Sequence, residues 1–140
     1  MIITEKGGFY MKLGELVQSG DFKGEKHVPV IDAPTKVKAG EPFTVNVCVG
    51  KEIPHPNKME HHISWIQIFF KPVDSKFAIE LAKFDYAAHA AAMDTSLSGP
   101  ALSEPVGSSV LKITKPGTII VQSYCNLHGL WESSQEISVE

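Results

Sequence analysis

Apolar and polar residues alternate along much of this chain with the period of two that belongs to β-strands. Between Pro42 and Gly50 the alternation is clean: Phe43, Val45, Val47 and Val49 share one face, and Thr44, Asn46 and Cys48 share the other. Phe77, Ile79 and Leu81 alternate in the same way with Ala78, Glu80 and Ala82. His62–Phe70 is nearly all apolar, the pattern of a strand covered on both faces. Ser108–Thr114 and Thr118–Cys125 flank the turn signal Lys115-Pro116-Gly117, and Gln135–Val139 reads as a last short strand. The one helical spacing is Leu13, Leu16 and Val17, stopped by Gly20, which predicts a short helix over Met11–Ser19.

Short strands punctuated by Gly and Pro predict an all-β fold: an immunoglobulin-like antiparallel β-sandwich with a short N-terminal helix. Residues 1–10 are expected to be an extension, with Met11 as a second plausible start, and residues 11–140 to form a single domain. Asp85–Pro105 is the long exception. Its Ala-rich beginning allows a helical turn, Ser96–Pro105 reads as loop, and a loop this long in a small domain is usually functional or mobile. Neither an internal repeat nor a low-complexity tract occurs.

Composition narrows the chemistry. With 140 residues, 43% of them hydrophobic, the chain is large enough for one domain with its own core. The net charge of −3 gives no global attraction to nucleic acid or to anionic membrane, and the 13 basic residues are all Lys. Without Arg, the planar fork that suits phosphates and base edges is missing, so no nucleic-acid partner is expected. No apolar run approaches the roughly 20 residues of a membrane span, and Met1–Lys12 has no secretory apolar core, so a cytoplasmic protein without a membrane partner is expected. Cys48 and Cys125 are the only cysteines, too few for a four-cysteine iron site.

The histidines carry more information. Cys125-x-x-His128 sits where a predicted strand runs into a Gly-containing loop, and a thiolate and an imidazole three residues apart can converge on one metal ion. The plain alternative is a buried Cys near a surface His. His55 and His61 bracket a short Pro/Asn segment. His61 and His62 are adjacent, so in an extended chain they point to opposite faces and only one can reach a shared ion. His62 and His89 read as a solvated loop residue and a packing or surface residue. His27 lies in Glu25-Lys26-His27-Val28-Pro29. Imidazoles with one thiolate suit Fe, Cu or Zn rather than Mg or Ca. Five candidates exceed the four of a tetrahedral zinc site and fit a five-coordinate iron with one open position.

Four segments in order, Glu25-Lys26-His27-Val28-Pro29-Val30, Gly50-Lys51-Glu52-Ile53-Pro54-His55-Pro56-Asn57, Glu60-His61-His62-Ile63 and Ser123-Tyr124-Cys125-Asn126-Leu127-His128-Gly129-Leu130-Trp131, resemble the superoxide reductase family of neelaredoxin and the iron-centre-II domain of desulfoferrodoxin. The resemblance runs from about Lys12 to Val139. It implies one mononuclear non-haem iron per chain, with His27, His55, His61 and His128 as equatorial ligands and Cys125 as the axial one. It further implies that Glu25 ligates the oxidised iron at rest and that Lys26 draws superoxide in; the plain alternative for both is a solvated charged turn. The implied activity is one-electron reduction of superoxide to hydrogen peroxide. The implied partners are superoxide, an electron-donor protein such as rubredoxin, and further copies of the chain, with a homotetramer favoured. The four-cysteine N-terminal domain of two-domain relatives has no counterpart here, and Ala90–Ala92 stands where many relatives have Gly beside the His.

Two other classes compete on the residues alone. A cupredoxin-like electron carrier also places Cys and His on a loop at the end of a sandwich, but wants a weak axial Met downstream, and no Met follows Met93. A structural zinc module needs only four ligands and would be colourless.

Overall fold

A computed structural model describes residues 2–3, 9–21, 26–86 and 101–140. The alternating segments are strands. They are β1 (Ile2–Ile3), β2 (Phe9–Tyr10), β3 (Val30–Asp32), β4 (Lys36–Val37), β5 (Phe43–Cys48), β6 (Ile63–Pro72), β7 (Ile79–Asp85), β8 (Val106–Leu111), β9 (Gly117–Cys125) and β10 (Gly129–Val139). One sheet has the order β4-β10-β9-β6-β7, and the other has β3-β5-β8. Every pairing between these described strands is antiparallel except the short parallel contact of β4 with β10. β1 pairs with β2 as a separate ribbon.

The sandwich closes because each sheet turns one apolar row inward. Val45 and Val47 of β5 face Ile66 and Ile68 of β6 and Ile119 and Val121 of β9 in one buried cluster, with Leu111, Ile113 and Ile137 completing it. The face of β5 expected to be apolar is therefore the buried one. β6 differs from expectation. It alternates buried Ile66, Ile68 and Phe70 with half-buried Trp65, Gln67 and Phe69, so only one of its faces is fully covered. Its outer row includes Trp65, stacked on Tyr124 of β9 at a centroid distance of 5.8 Å.

The predicted N-terminal helix is a single 3-10 turn, Leu13–Leu16. Leu13 is 67% exposed and Leu16 51%, so no apolar face is buried to stabilise a helix that short, and Gly14 disfavours it further. The chain instead runs extended. Gln18 forms a bridge with Trp131, its N–H donating to the Leu130 carbonyl at 2.9 Å and its carbonyl accepting from Glu132 N–H at 2.9 Å. Residues 87–100, which include the Ala-rich stretch with His89 and the first half of the expected loop Ser96–Pro105, lie outside the described residues, as does Glu25.

Tyr86 fastens the end of β7 to the beginning of β8. Its N–H donates to the Ser64 carbonyl at 2.7 Å, and its hydroxyl donates to the Val106 carbonyl.

Candidate metal centre

Three stretches of chain converge at one end of the sandwich. The first enters β3. Asp21 accepts hydrogen bonds from the N–H groups of His27 (2.6 Å) and Val28 (2.8 Å), and Ser123 Oγ of β9 donates to the His27 carbonyl at 3.1 Å. These bonds fix the His27 backbone at the sheet end, and its side chain is fully buried. Against its ring lies the indole of Trp131, stacked at 4.5 Å and 14°.

The second stretch crosses from β5 to β6. Gly50 turns the chain with φ 84°, and a Cβ placed there would lie 2.5 Å from the His55 backbone nitrogen. Only glycine lets the loop fold back so tightly onto His55. The His55 Nδ1–H donates to the Pro56 carbonyl at 2.7 Å, which leaves the lone pair on Nε2, a nitrogen sealed from solvent. Lys58 and His61 then pair across a tight turn through two backbone bonds of 2.9 and 3.2 Å, bringing the His61 ring back toward the others.

The third stretch is the turn between β9 and β10. Cys125 pairs with Gly129, so Asn126, Leu127 and His128 form a three-residue connection, and Gly129 takes φ 80°. That conformation after a short loop is the usual role of a glycine in such hairpins. Cys125 is fully buried, while His128 is exposed. The Trp131 Nε1–H donates to the His128 carbonyl at 3.2 Å.

The outcome is a cluster. One ligand atom each from His27, His61, Cys125 and His128 lie within 4.8 Å of one another. His27 Nε2 is 3.1 Å from His128 Nδ1, and Cys125 Sγ is 3.8 Å from the same Nδ1. Metal–nitrogen and metal–sulfur bonds of about 2.1 and 2.3 Å put two donors of one ion roughly 3 to 4.4 Å apart, so the set is pre-shaped for a single ion. His55 packs edge-on against His27 (4.7 Å) and His61 (4.8 Å), which places a further imidazole on the rim. Imidazole and thiolate are a donor set for a transition metal.

His62 faces elsewhere, its Nδ1 within hydrogen-bonding distance of the Lys58 and Met59 carbonyls. Lys26, beside His27, is half-buried. Cys48 is on the outer face of the β3-β5-β8 sheet, in a shallow recess of about 500 Å³ with Val30, Asp32, Asn46 and Lys51. Burial pushes its thiol pKa up, with Lys51 opposing and Asp32 reinforcing the shift, and it takes no part in the cluster. Trp131 and Ser123, which hold His27, lay within the motifs, but nothing in one-dimensional spacing reports a ring stack or a hydroxyl under a carbonyl.

The family model for desulfoferrodoxin matches residues 19–134, a span that contains every residue of the cluster. The chain belongs to the desulfoferrodoxin family. Within that family it is similar to the neelaredoxin of Megalodesulfovibrio gigas, 42% identical over 93% of this chain and 100% of that protein. It is equally similar to the superoxide reductase of Pyrococcus furiosus, 42% identical over 91% of this chain and 99% of that one. The crystal structure of a Thermotoga maritima protein superposes with a TM-score of 0.85 at 49% identity, covering 94% of this chain and 99% of that one. The desulfoferrodoxin match spans strands of both sheets and all three stretches that bring the cluster together.

Proposed function

We propose that this protein is a superoxide reductase whose centre is a mononuclear iron held by His27, His55, His61, His128 and Cys125. The convergence of three histidines and a buried cysteine within 4.8 Å carries the reading, and the similarity to a superoxide reductase and a neelaredoxin supports it. His55 is added as the fifth donor because its ring packs against those of His27 and His61 and its Nε2 is buried.

When bound, iron supplies the electron and a Lewis-acidic position for the substrate. The residues of the chain supply the rest. Neutral imidazoles keep the centre cationic, which favours an anionic substrate, and only the Cys125 thiolate offsets that charge. Burial of Cys125 keeps the thiolate away from water and oxidants, while the exposed His128 marks the solvent side. Lys26 provides a positive charge next to His27 that attracts superoxide and orders the water supplying protons. Glu25 would be the carboxylate that holds the iron when it is oxidised. One electron and two protons convert superoxide to hydrogen peroxide, so each turnover consumes an electron from outside. Cys48 alone cannot build a second redox centre, and an external one-electron donor, a rubredoxin in this proposal, completes the cycle. A homotetramer in the cytoplasm is part of the same proposal. Among the described residues no helix is long and apolar enough to cross a membrane.

The test is metal analysis of native protein with a visible spectrum before and after ascorbate, followed by a superoxide consumption assay. The expected result is about one iron per chain, a thiolate band that bleaches on reduction, and peroxide formed without oxygen release. Stoichiometric zinc, or copper with a blue band, overturns the reading.

A further inference from the structure

His61 and His62 are adjacent, and something must decide which of them faces the cluster. We propose that Asn126 is a positioning residue that makes this choice by clamping the two peptide groups on either side of His61. The proposal rests on the reading of His61 as a metal ligand.

Asn126 lies between Cys125 and His128 in the turn joining β9 to β10. Its Oδ1 accepts from the His62 N–H at 2.8 Å, and its Nδ2 donates to the Glu60 carbonyl at 2.9 Å. Its own backbone N–H donates to the His62 carbonyl at 3.2 Å. The side-chain amide thus engages the peptide before His61 and the peptide after it. A primary amide carries a donor and an acceptor side by side, so it can satisfy both at once, much as a neighbouring strand would. Its orientation is fixed, because a flip would set N–H against N–H and oxygen against oxygen.

The consequence is a defined register. With both flanking peptides held, the Cα–Cβ direction of His61 is held as well, and its neighbour must point the other way. The His62 ring accordingly faces the Lys58 and Met59 carbonyls rather than Cys125. A slip of one residue would exchange the two rings. The clamp also joins segments 64 to 66 residues apart, so the turn that carries Cys125 and His128 and the turn that carries His61 move as one piece. No other side chain meets both demands. Asp would present a second carboxylate oxygen to the Glu60 carbonyl, Leu has the shape without the polarity, and Gln is a methylene too long.

A residue that merely holds two loops together would lower stability without altering what the bound metal sees. A positioning residue alters affinity and ligand field, and does so only through His61. Cobalt(II) titration of the metal-free full chain separates the two, because its visible bands report coordination and its near-ultraviolet band reports thiolate ligation. The set is the unmodified protein, Asn126→Ala, Asn126→Asp, His61→Ala, His62→Ala and the double variant His61→Ala/Asn126→Ala. Asn126→Ala is expected to bind cobalt about 10- to 100-fold more weakly, with shifted visible bands and the thiolate band kept. Asn126→Asp, which retains the acceptor, is expected to fall between, and it carries the test if Asn126→Ala does not fold. The double variant is expected to match His61→Ala, with no further loss. Unmodified affinity and spectrum in both Asn126 variants would overturn the proposal while leaving the ligand set standing. Equal further loss in the His61→Ala background would also overturn it, in favour of a loop tie. If His61→Ala itself binds cobalt as the unmodified protein does, while His62→Ala does not, the ligand assignment is wrong and the proposal falls with it.

Discussion

Trp131 shows how much a single side chain can do at this centre. It is fully buried, it lies flat on the His27 ring, and it donates to the carbonyl of His128. It thereby touches two of the clustered residues that are 101 positions apart. The stack and the hydrogen bond are separable. Trp131→Phe keeps an aromatic face against His27 and removes the donor to His128. It is expected to fold and to hold metal several-fold more weakly, read by competition with a coloured chelator. Trp131→Ala removes a core aromatic as well and should cost about 3–5 kcal/mol of stability in urea unfolding. The sequence makes the clustered residues legible because metal-ligating chemistry is restricted to a few residue types. It leaves Trp131, Ser123 and Asn126 unread because indole, hydroxyl and amide side chains serve many purposes, and only their neighbours in space reveal which one.

At the level of elements, periodicity is a good guide where both partners of an alternating pair contrast strongly, as along Phe43–Cys48. It is a poor guide for Gly129–Ser134, where Gly-Leu-Trp-Glu-Ser-Ser reads as loop. There β10 begins six residues before the expected strand at Gln135, because pairing with β9 from Cys125 onward satisfies its backbone whatever its side chains. The helix failed for the converse reason: spacing was right and burial was absent. Tyr86, which locks β7 to β8, offers a test of how such ties are felt. Burial pushes its hydroxyl pKa from 10.0 up to about 12, with nearby Cys48 adding to the shift. A folded-state pKa above the unfolded value means the folded state holds the proton more tightly. The contribution is full below pH 10 and is lost as the pH rises toward 12. Stability measured by thermal melts should therefore decline across that window. Tyr86→Phe should flatten the decline, while losing about 0.5–1.5 kcal/mol at neutral pH from the missing bond to the Val106 carbonyl.

On the scale of the whole molecule, the net charge of −3 repels superoxide weakly, so attraction has to be local. Lys26→Ala should slow the second-order reaction with superoxide and flatten its dependence on ionic strength with iron retained, as pulse radiolysis at several salt concentrations would show. A wild-type rate and salt response would return Lys26 to the status of an ordinary surface charge. The centre has a second bearing on the molecule as a whole. Its clustered residues come from the approach to β3, the crossing from β5 to β6 and the turn between β9 and β10, and an ion gripping all three would be a cross-link in the covalent chain. It would pin together points as far apart as His27 and His128, the kind of closure that removes the most freedom from an unfolded chain. Because the unfolded chain holds no such cage, metal binding adds directly to folding stability, about 2.7 kcal/mol at a free metal concentration one hundred times the dissociation constant. Chelated protein should melt at a lower temperature than loaded protein, and the gap should widen with added metal in calorimetry. In this molecule the catalyst would also be the rivet, so a cell short of iron would lose the protein itself and not merely its activity.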